Sequence, residues 1–435
     1  MRALLGRRPA FAAVAGLVMS TLVVGCNQGT AVTDKPVTVA SLSGIGPITF
    51  ATGELDTGSY LPALLRQWNA AHPRQRVTLI PLPDEADDQH AQLVANLQTR
   101  SSLYDVMSLD VVWTAEFAAS GWIVPLNPRS FPLPDFLRPA VATARFAGRL
   151  FAVPFTSNAG LLYYRSDILD AAHASPPRTW AELARLARTL APEHHMAGYA
   201  GQLAPYEGLT VNFAEAVQSA GGHIVSADGT TVTLNSPQAQ AGLTFLLDGL
   251  KAGWIPRAAL RYDEAASEKA FVGGHLLFLR NWPYVYGLAA ARGSPVAGKF
   301  KVTALPGATG TGSAVLGGAN LAISAYSRHQ RTALAFIKFL TSMSSEREVL
   351  VKGSLPPVWT SLYSDRALTT RFPYLPTLKK AILTARPRPQ TPNYSQLSLA
   401  ISSTVHQALV KPWAAAPGPM LARLARELRS FVRNG

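Results

Sequence analysis

Asp110, Asn158 and Trp282 are the side chains whose type and placement stand out. Asp110 lies near the end of an apolar stretch over 105–111, Asn158 sits in the polar segment Thr156-Ser157-Asn158-Ala159-Gly160, and Trp282 follows the apolar run 275–279. A carboxylate, an amide and a flat indole suit a carbohydrate, whose hydroxyls need fixed donors and acceptors and whose C–H faces pack on an aromatic ring. Each residue also has a simpler use. Asp110 could cap a helix opening near Trp113, Asn158 could satisfy backbone at a domain crossing, and Trp282 could fill a core.

Groupings that would signal covalent or metal chemistry fail on spacing. No G-x-S-x-G elbow, H-E-x-x-H or G-x-x-x-x-G-K-[ST] occurs, so serine hydrolase, zincin and P-loop readings lose their support. Gly307, Gly310 and Gly312 do not match a dinucleotide fingerprint, and adjacent His194 and His195 would project about 100° apart on a helix. The acidic group Asp84, Glu85, Asp87 and Asp88 suits a solvated loop or a helix N-terminus. A single cysteine excludes a disulfide framework and any thiolate metal site. No enzyme activity, metal or cofactor is expected.

The elements that must position these residues alternate. A strand at 48–51 precedes a helix that Ser59 could cap, with Leu61, Leu64, Leu65 and Trp68 on one face. A strand over 76–82, with Val77, Leu79 and Pro81 on one side, leads to a helix opened by Asp87 or Asp88 with Leu93, Val94 and Leu97 inward, then to the strand at 105–111. Strand-helix alternation predicts parallel strands with helical crossovers, an α/β sheet. Further strands are expected at 150–155, 161–164, 275–279 and 314–323. Thr179 and Glu182 form a capping box before Leu183, Leu186 and Leu190, and helices are expected at 209–220, 332–340 and 420–432.

At 435 residues, 48% hydrophobic and 15% charged, the chain has core enough for two or three domains and cannot be disordered. Arg2, Arg7 and Arg8, a mostly apolar run over 10–24, then Gly25 and Cys26 read as an export leader over 1–25. Val23-Val24-Gly25-Cys26 resembles the bacterial lipobox, which makes Cys26 the expected site of acylation and 26–44 a tether on the outer face of the cell membrane. The formal charge of +14 loses three arginines with the leader, leaving +11. Those charges are scattered without a basic run, which argues against nucleic acid and for attraction to an anionic envelope.

Several segments in order resemble the extracellular solute-binding proteins of carbohydrate ABC importers. They are Gly148-Arg149-Leu150-Phe151-Ala152-Val153-Pro154 before Leu161-Leu162-Tyr163-Tyr164-Arg165, Pro176-Pro177-Arg178-Thr179-Trp180-Ala181-Glu182-Leu183, Ala270-Phe271 to Gly274 before Asn281-Trp282-Pro283, and Gly317-Gly318-Ala319-Asn320-Leu321-Ala322-Ile323. The stretch Asp105 to Phe117, Tyr206-Glu207-Gly208-Leu209 and Arg388-Pro389-Gln390-Thr391-Pro392 are similar to the trehalose-binding lipoproteins of mycobacterial importers. The resemblance implies a two-lobed, periplasmic-binding-protein-like α/β fold of type II, maltose-binding-protein-like, closing on a ligand at an interlobe hinge. Its lobes would be 45–155 plus 316–352 and 156–315 plus 353–435. Carried over by motif, Asp110, Asn158, Glu207 and Arg388 would hold sugar hydroxyls, with Trp282 as a stacking surface. The ligand would be trehalose or a related disaccharide, with amino sugars and glycerophosphodiesters as alternatives. Partners would be a permease and an ATPase, with the chain itself monomeric. A cell-surface glycoside hydrolase using Asp110 and Glu207 is the competing enzyme class. Two positions depart from the pattern: Phe50-Ala51-Thr52-Gly53 lacks a tryptophan, and Ala159-Gly160 makes the hinge less polar.

Overall fold

The computed structural model describes residues 42–53, 60–226 and 229–433. In chain order the elements are β1 (Ile48–Gly53), α1 (Tyr60–Ala71), β2 (Val77–Leu82), α2 (Ala86–Gln98), β3 (Val106–Asp110), α3 (Thr114–Ala119), α4 (Arg138–Thr143), β4 (Arg145–Phe146), β5 (Arg149–Leu150), β6 (Ala152–Ala159) and β7 (Leu161–Arg165). They continue with α5 (Ser166–Ala171), α6 (Trp180–Glu193), β8 (Ala197–Ala200), α7 (Glu207–Ser219), α8 (Pro237–Lys251), α9 (Glu264–Val272), β9 (Leu276–Asn281), α10 (Val285–Ala289), β10 (Phe300–Thr303) and β11 (Leu316–Ile323). Five helices and one more close the chain: α11 (Gln330–Leu340), α12 (Met343–Gly353), α13 (Arg366–Arg371), α14 (Leu375–Thr384), α15 (Tyr394–Val410) and α16 (Pro417–Arg433).

Period-two and period-3.6 apolar patterns resolve into two main sheets with helical flanks, one per lobe, and a two-stranded β4-β5 ribbon. The first sheet runs β2-β1-β3-β11-β6 and the second β10-β7-β9-β8. In the first, β1 lies parallel to β2 and β3, as the strand-helix alternation predicts. β11 enters antiparallel between β3 and β6, pairing Ala319 with Asp110 and Gly317 with Asn158. In the second, β7 pairs antiparallel with β9, Leu161 opposite Asn281. The register therefore brings Asp110, Asn158 and Trp282 to neighbouring strand ends.

Aromatics fill both cores. Trp68 of α1 meets Phe336 of α11 edge-on at 5.4 Å, and Phe336 meets Phe50 of β1 at 5.7 Å, tying helices to the first sheet. Tyr163 and Phe271 pack at 6.0 Å in the second. The expected capping box on α6 is present, Thr179 Oγ1 accepting from the Glu182 amide and the Glu182 carboxylate from the Thr179 amide.

Some local expectations change. Thr156 to Ala159 continue β6 of the first sheet instead of forming a polar connection, so the chain passes to the second sheet at Gly160. Glu85, not Asp87 or Asp88, caps α2, because its carboxylate accepts from both of their amides. Pro81 is exposed, so β2 buries only its ends, Val77 and Leu82. The sequence near the expected tether end is docked: the Ser43 amide donates to Gln330 Oε1 at 3.1 Å. Ser59, Cys26 and the leader lie outside the described residues. Among the described residues no helix is long and apolar enough to cross a membrane.

Gly318 shows why β11 carries two glycines. Its φ is +126°, and a Cβ built there would lie 2.2 Å from the Thr156 carbonyl oxygen, beside the bulge at Ala319/Asn320. Gly318→Ala should therefore destabilise the protein by about 2 kcal/mol or more, read as a lower urea midpoint. An unchanged midpoint would contradict this backbone geometry.

Candidate ligand-binding site

Arg388 organises the cleft between the sheets. Its segment is held against the strand leading into β11, the Leu316 amide donating to the Arg386 carbonyl at 3.0 Å and the Arg386 amide to the Ala314 carbonyl at 3.1 Å. Only 3% exposed, Arg388 donates from Nη2 to Asp110 Oδ1 at 2.6 Å and from Nη1 to Glu207 Oε1 at 2.5 Å. One guanidinium thus joins a carboxylate of the first sheet to one at the start of α7 in the other lobe.

Glu207, 5% exposed, also accepts from Tyr394 Oη at 2.6 Å and from Ser398 Oγ, successive turns of α15. Burial lifts its carboxyl above the ordinary range, while Arg388 pulls the other way. Asp110 does not cap α3, whose N-cap is Trp113 with no side-chain bond; its Oδ1 instead accepts from the Val112 amide at 3.1 Å, closing the turn after β3.

Trp282 is half-buried and fixed on several sides. Arg280 Cζ lies 4.1 Å from its ring centroid, Asn281 Oδ1 accepts from its amide at 2.7 Å, and its Nε1 donates to Glu264 Oε1 at 3.4 Å. Arg280 is 1% exposed and grips Glu215 with two bonds of 2.6 and 2.8 Å, with a third to Gln202 at 2.8 Å. A Cβ on Gly160 would fall 2.2 Å from Glu215 Oε1, and one on Gly317 would fall 2.9 Å from the Trp282 ring. The reduced polarity of Ala159-Gly160 follows: this ion pair occupies the space a side chain would need.

Asp110, Asn158, Glu207, Trp282 and Arg388 all line one cavity of about 160 Å³. Asn158 Oδ1 is buried there with no partner among the described residues, which makes it an acceptor free for a ligand donor. The structure adds residues the sequence reading missed. Glu264 was hidden as an ordinary first-turn acid, whereas Arg280 carried a visible signal as the one charge in the apolar strand Leu276–Asn281. Tyr394 and Ser398 were legible only as an i, i+4 pair.

A second polar contact crosses the cleft. Ser395 Oγ on α15 lies 3.0 Å from both His90 Nε2 and Glu116 Oε2, which are themselves 2.8 Å apart. Nearby, on α2, which packs against α7, burial first and then the charges of Glu207 and Glu85 push the Asp87 carboxyl up to about 7. His194 and His195 are exposed at the end of α6, far in sequence from these groups. Among the described residues no group of three or more His, Cys, Asp or Glu is placed to hold a metal ion.

Comparison with known proteins places this geometry. A family model described as bacterial extracellular solute-binding protein matches residues 51–346. A "probable ABC transporter-binding protein" of Deinococcus radiodurans is 33% identical over 372 residues, covering 82% of this chain and 87% of its own. Maltose-bound MalE3 of T. maritima superposes with a TM-score of 0.84 at 32% identity, covering 88% of this chain and 99% of its own. UgpB of Mycobacterium tuberculosis in complex with glycerophosphocholine has a TM-score of 0.76 at 20% identity, covering 90% and 99%, a likeness of fold. The two-lobed, maltose-binding-protein-like α/β arrangement expected from the sequence is the arrangement these structures share.

Breaking a buried ion pair from one side leaves the partner charge unpaired, so Arg388→Met should lower unfolding free energy by about 3 to 5 kcal/mol in urea titration. Asp87 supplies a pH test. Its folded value is raised from 3.8 to about 7, so its contribution to stability is complete below 3.8 and is lost as pH rises through about 7. Thermal midpoints measured from pH 4 to 8 should fall less steeply with pH in Asp87→Asn than in the parent; equal slopes would count against the buried placement of Asp87.

Proposed function

The chain belongs to the bacterial extracellular solute-binding proteins, and from that membership we propose that it captures a sugar between its lobes for an ABC importer. The ligand is trehalose or a related disaccharide, delivered to a membrane permease and its ATPase by a monomeric chain anchored through acylated Cys26. Lobe closure around the ligand brings 45–159 plus 316–352 against 160–315 plus 353–435, the boundary falling at Gly160 because Thr156 to Ala159 pair with β11.

One observation carries the reading: Arg388 holds Asp110 and Glu207 in a single buried array that spans both lobes. Such an array presents fixed acceptors and donors to hydroxyls, and Trp282 beside it offers a ring face. The similarity to a maltose-bound protein at 32% identity supports a disaccharide. The hydrolase reading fares worse, because acid and base roles require two carboxylates in different protonation states, whereas here both accept from the same guanidinium.

Thermal unfolding of residues 27–435 with trehalose, maltose, glucosamine, glycerophosphocholine and monosaccharides tests the proposal. A ligand at 100 times its Kd adds about 2.7 kcal/mol and raises the midpoint. Arg388→Ala should weaken binding of the responding sugar at least tenfold by calorimetry, and unchanged affinity would sink the role of Arg388. Cys26→Ser should move the protein from the membrane fraction to the soluble one.

A further inference from the structure

Three helices begin at the cleft, and their first turns line the cavity: Ala86 and Gln89 of α2, Glu207 and Gly208 of α7, and Glu264 of α9. Helix N-termini are natural anion sites, since unsatisfied amides and the helix dipole both favour negative charge. In this protein two of the three are already taken by a carboxylate of the chain. Glu85 accepts from the Asp87 and Asp88 amides at 3.0 and 3.3 Å at the start of α2. Asp263 accepts from the Ala266 amide at 2.7 Å at the start of α9. α7 has no side-chain cap of its own, and Asp87 lies on α2, which packs against it from the opposite lobe.

The cation of the site is similarly occupied. Each Nη of Arg388 is bonded to a carboxylate, and Nε, the one nitrogen of the group with no partner among the described residues, is buried. Arg280 is committed to Glu215 and Gln202. Facing the cavity are further acids, Asp110 and Glu264, the latter accepting from Trp282 and from Tyr206 Oη. Among the neutral donors that remain are Gln89, Ser108, Thr156 and Asn158.

We infer that the cleft rejects anions: two of its helix N-termini are plugged by Glu85 and Asp263, Asp87 lies on the helix packed against the third, and its arginines are paired, so the ligand is an unphosphorylated sugar, polyol or amino sugar. This rests on the reading above and decides between its alternatives, removing glycerophosphodiesters and sugar phosphates. A phosphate oxygen accepts but cannot donate, and it would meet carboxylates where it needs amides or a free guanidinium. Hydroxyls and ammonium groups donate, and so match Asp110, Asn158 and Glu264. Asp87 and Glu264 are thereby specificity determinants.

The test is calorimetry at low ionic strength on the 27–435 chain, with trehalose, maltose and glucosamine against glycerol 3-phosphate, glycerophosphocholine and the 6-phosphate of whichever disaccharide binds. The 6-O-acetyl ester serves as a neutral control for size. The phosphate should bind at least 100-fold more weakly than the parent sugar, and the acetyl ester should lose far less. In Asp87→Asn, Glu264→Gln and the double variant, the ratio of sugar to sugar-phosphate affinity should narrow at least tenfold in the double. Either single variant keeps the ratio readable if the double fails to fold. A phosphate bound within tenfold of the sugar, or a ratio unmoved in every variant, overturns the inference and leaves sugar capture standing. Binding of a phosphate compound and of no sugar overturns the inference and the sugar assignment but leaves solute capture. If none of the compounds binds, sugar capture fails and the inference falls with it.

Discussion

A guanidinium buried to 3% exposure is tolerable only where carboxylates neutralise it, and that constraint on Arg388 shapes the cleft. Its two partners come from different lobes, so the cleft geometry seen here depends on the segment around 386–393 being pinned beside β11. Glu207 in turn needs Tyr394 and Ser398, which fixes α15 against α7. Arg280 repeats the logic one layer down: its ion pair with Glu215 forces glycine at 160 and sets the plane of Trp282. Much of the site is thus the result of satisfying two buried cations.

Legibility in the sequence followed the range of the interactions. The α/β class, most strands and the capping box on α6 depend on residues within a few positions of one another, and they read correctly. Asp110, Asn158 and Trp282 drew attention because polar or aromatic residues interrupt apolar strand ends, and the register places them together. Glu207 and Arg388 had no local signal of their own; a family resemblance supplied them, and the structure pairs them across 181 positions. Glu264, Tyr394 and Ser398 were missed for the same reason, since a first-turn acid and two residues of a helix look ordinary until the partner arrives. Thr156 to Ala159 show the reverse case, in which pairing with β11 overrides local polarity and leaves Gly160 as the crossing between the sheets.

Charge is distributed by two separate demands. The surface is basic overall, at +14 for the full chain, while the cavity is lined by Asp110, Glu207 and Glu264 against Arg388. Long-range attraction to an anionic envelope is a property of the whole field, whereas recognition is settled within a few ångströms. Arg388 neutralises Glu207 and Asp110 at close range, so the cleft adds little to that outer field and the two can carry opposite signs.

The place of β11 in the first sheet also governs when that sheet can exist. Its neighbours β3 and β6 are complete by residue 159, yet the strand between them begins at Leu316. During synthesis β6 therefore waits unattached to the rest of the first sheet while the second lobe's residues emerge, and Arg388 arrives later still. Contacts of such sequence separation form slowly because loop-closure entropy precedes any gain. For a member of an extracellular family, this delay is an asset: a polypeptide that cannot finish its fold until its last quarter is made stays threadable while it crosses a membrane.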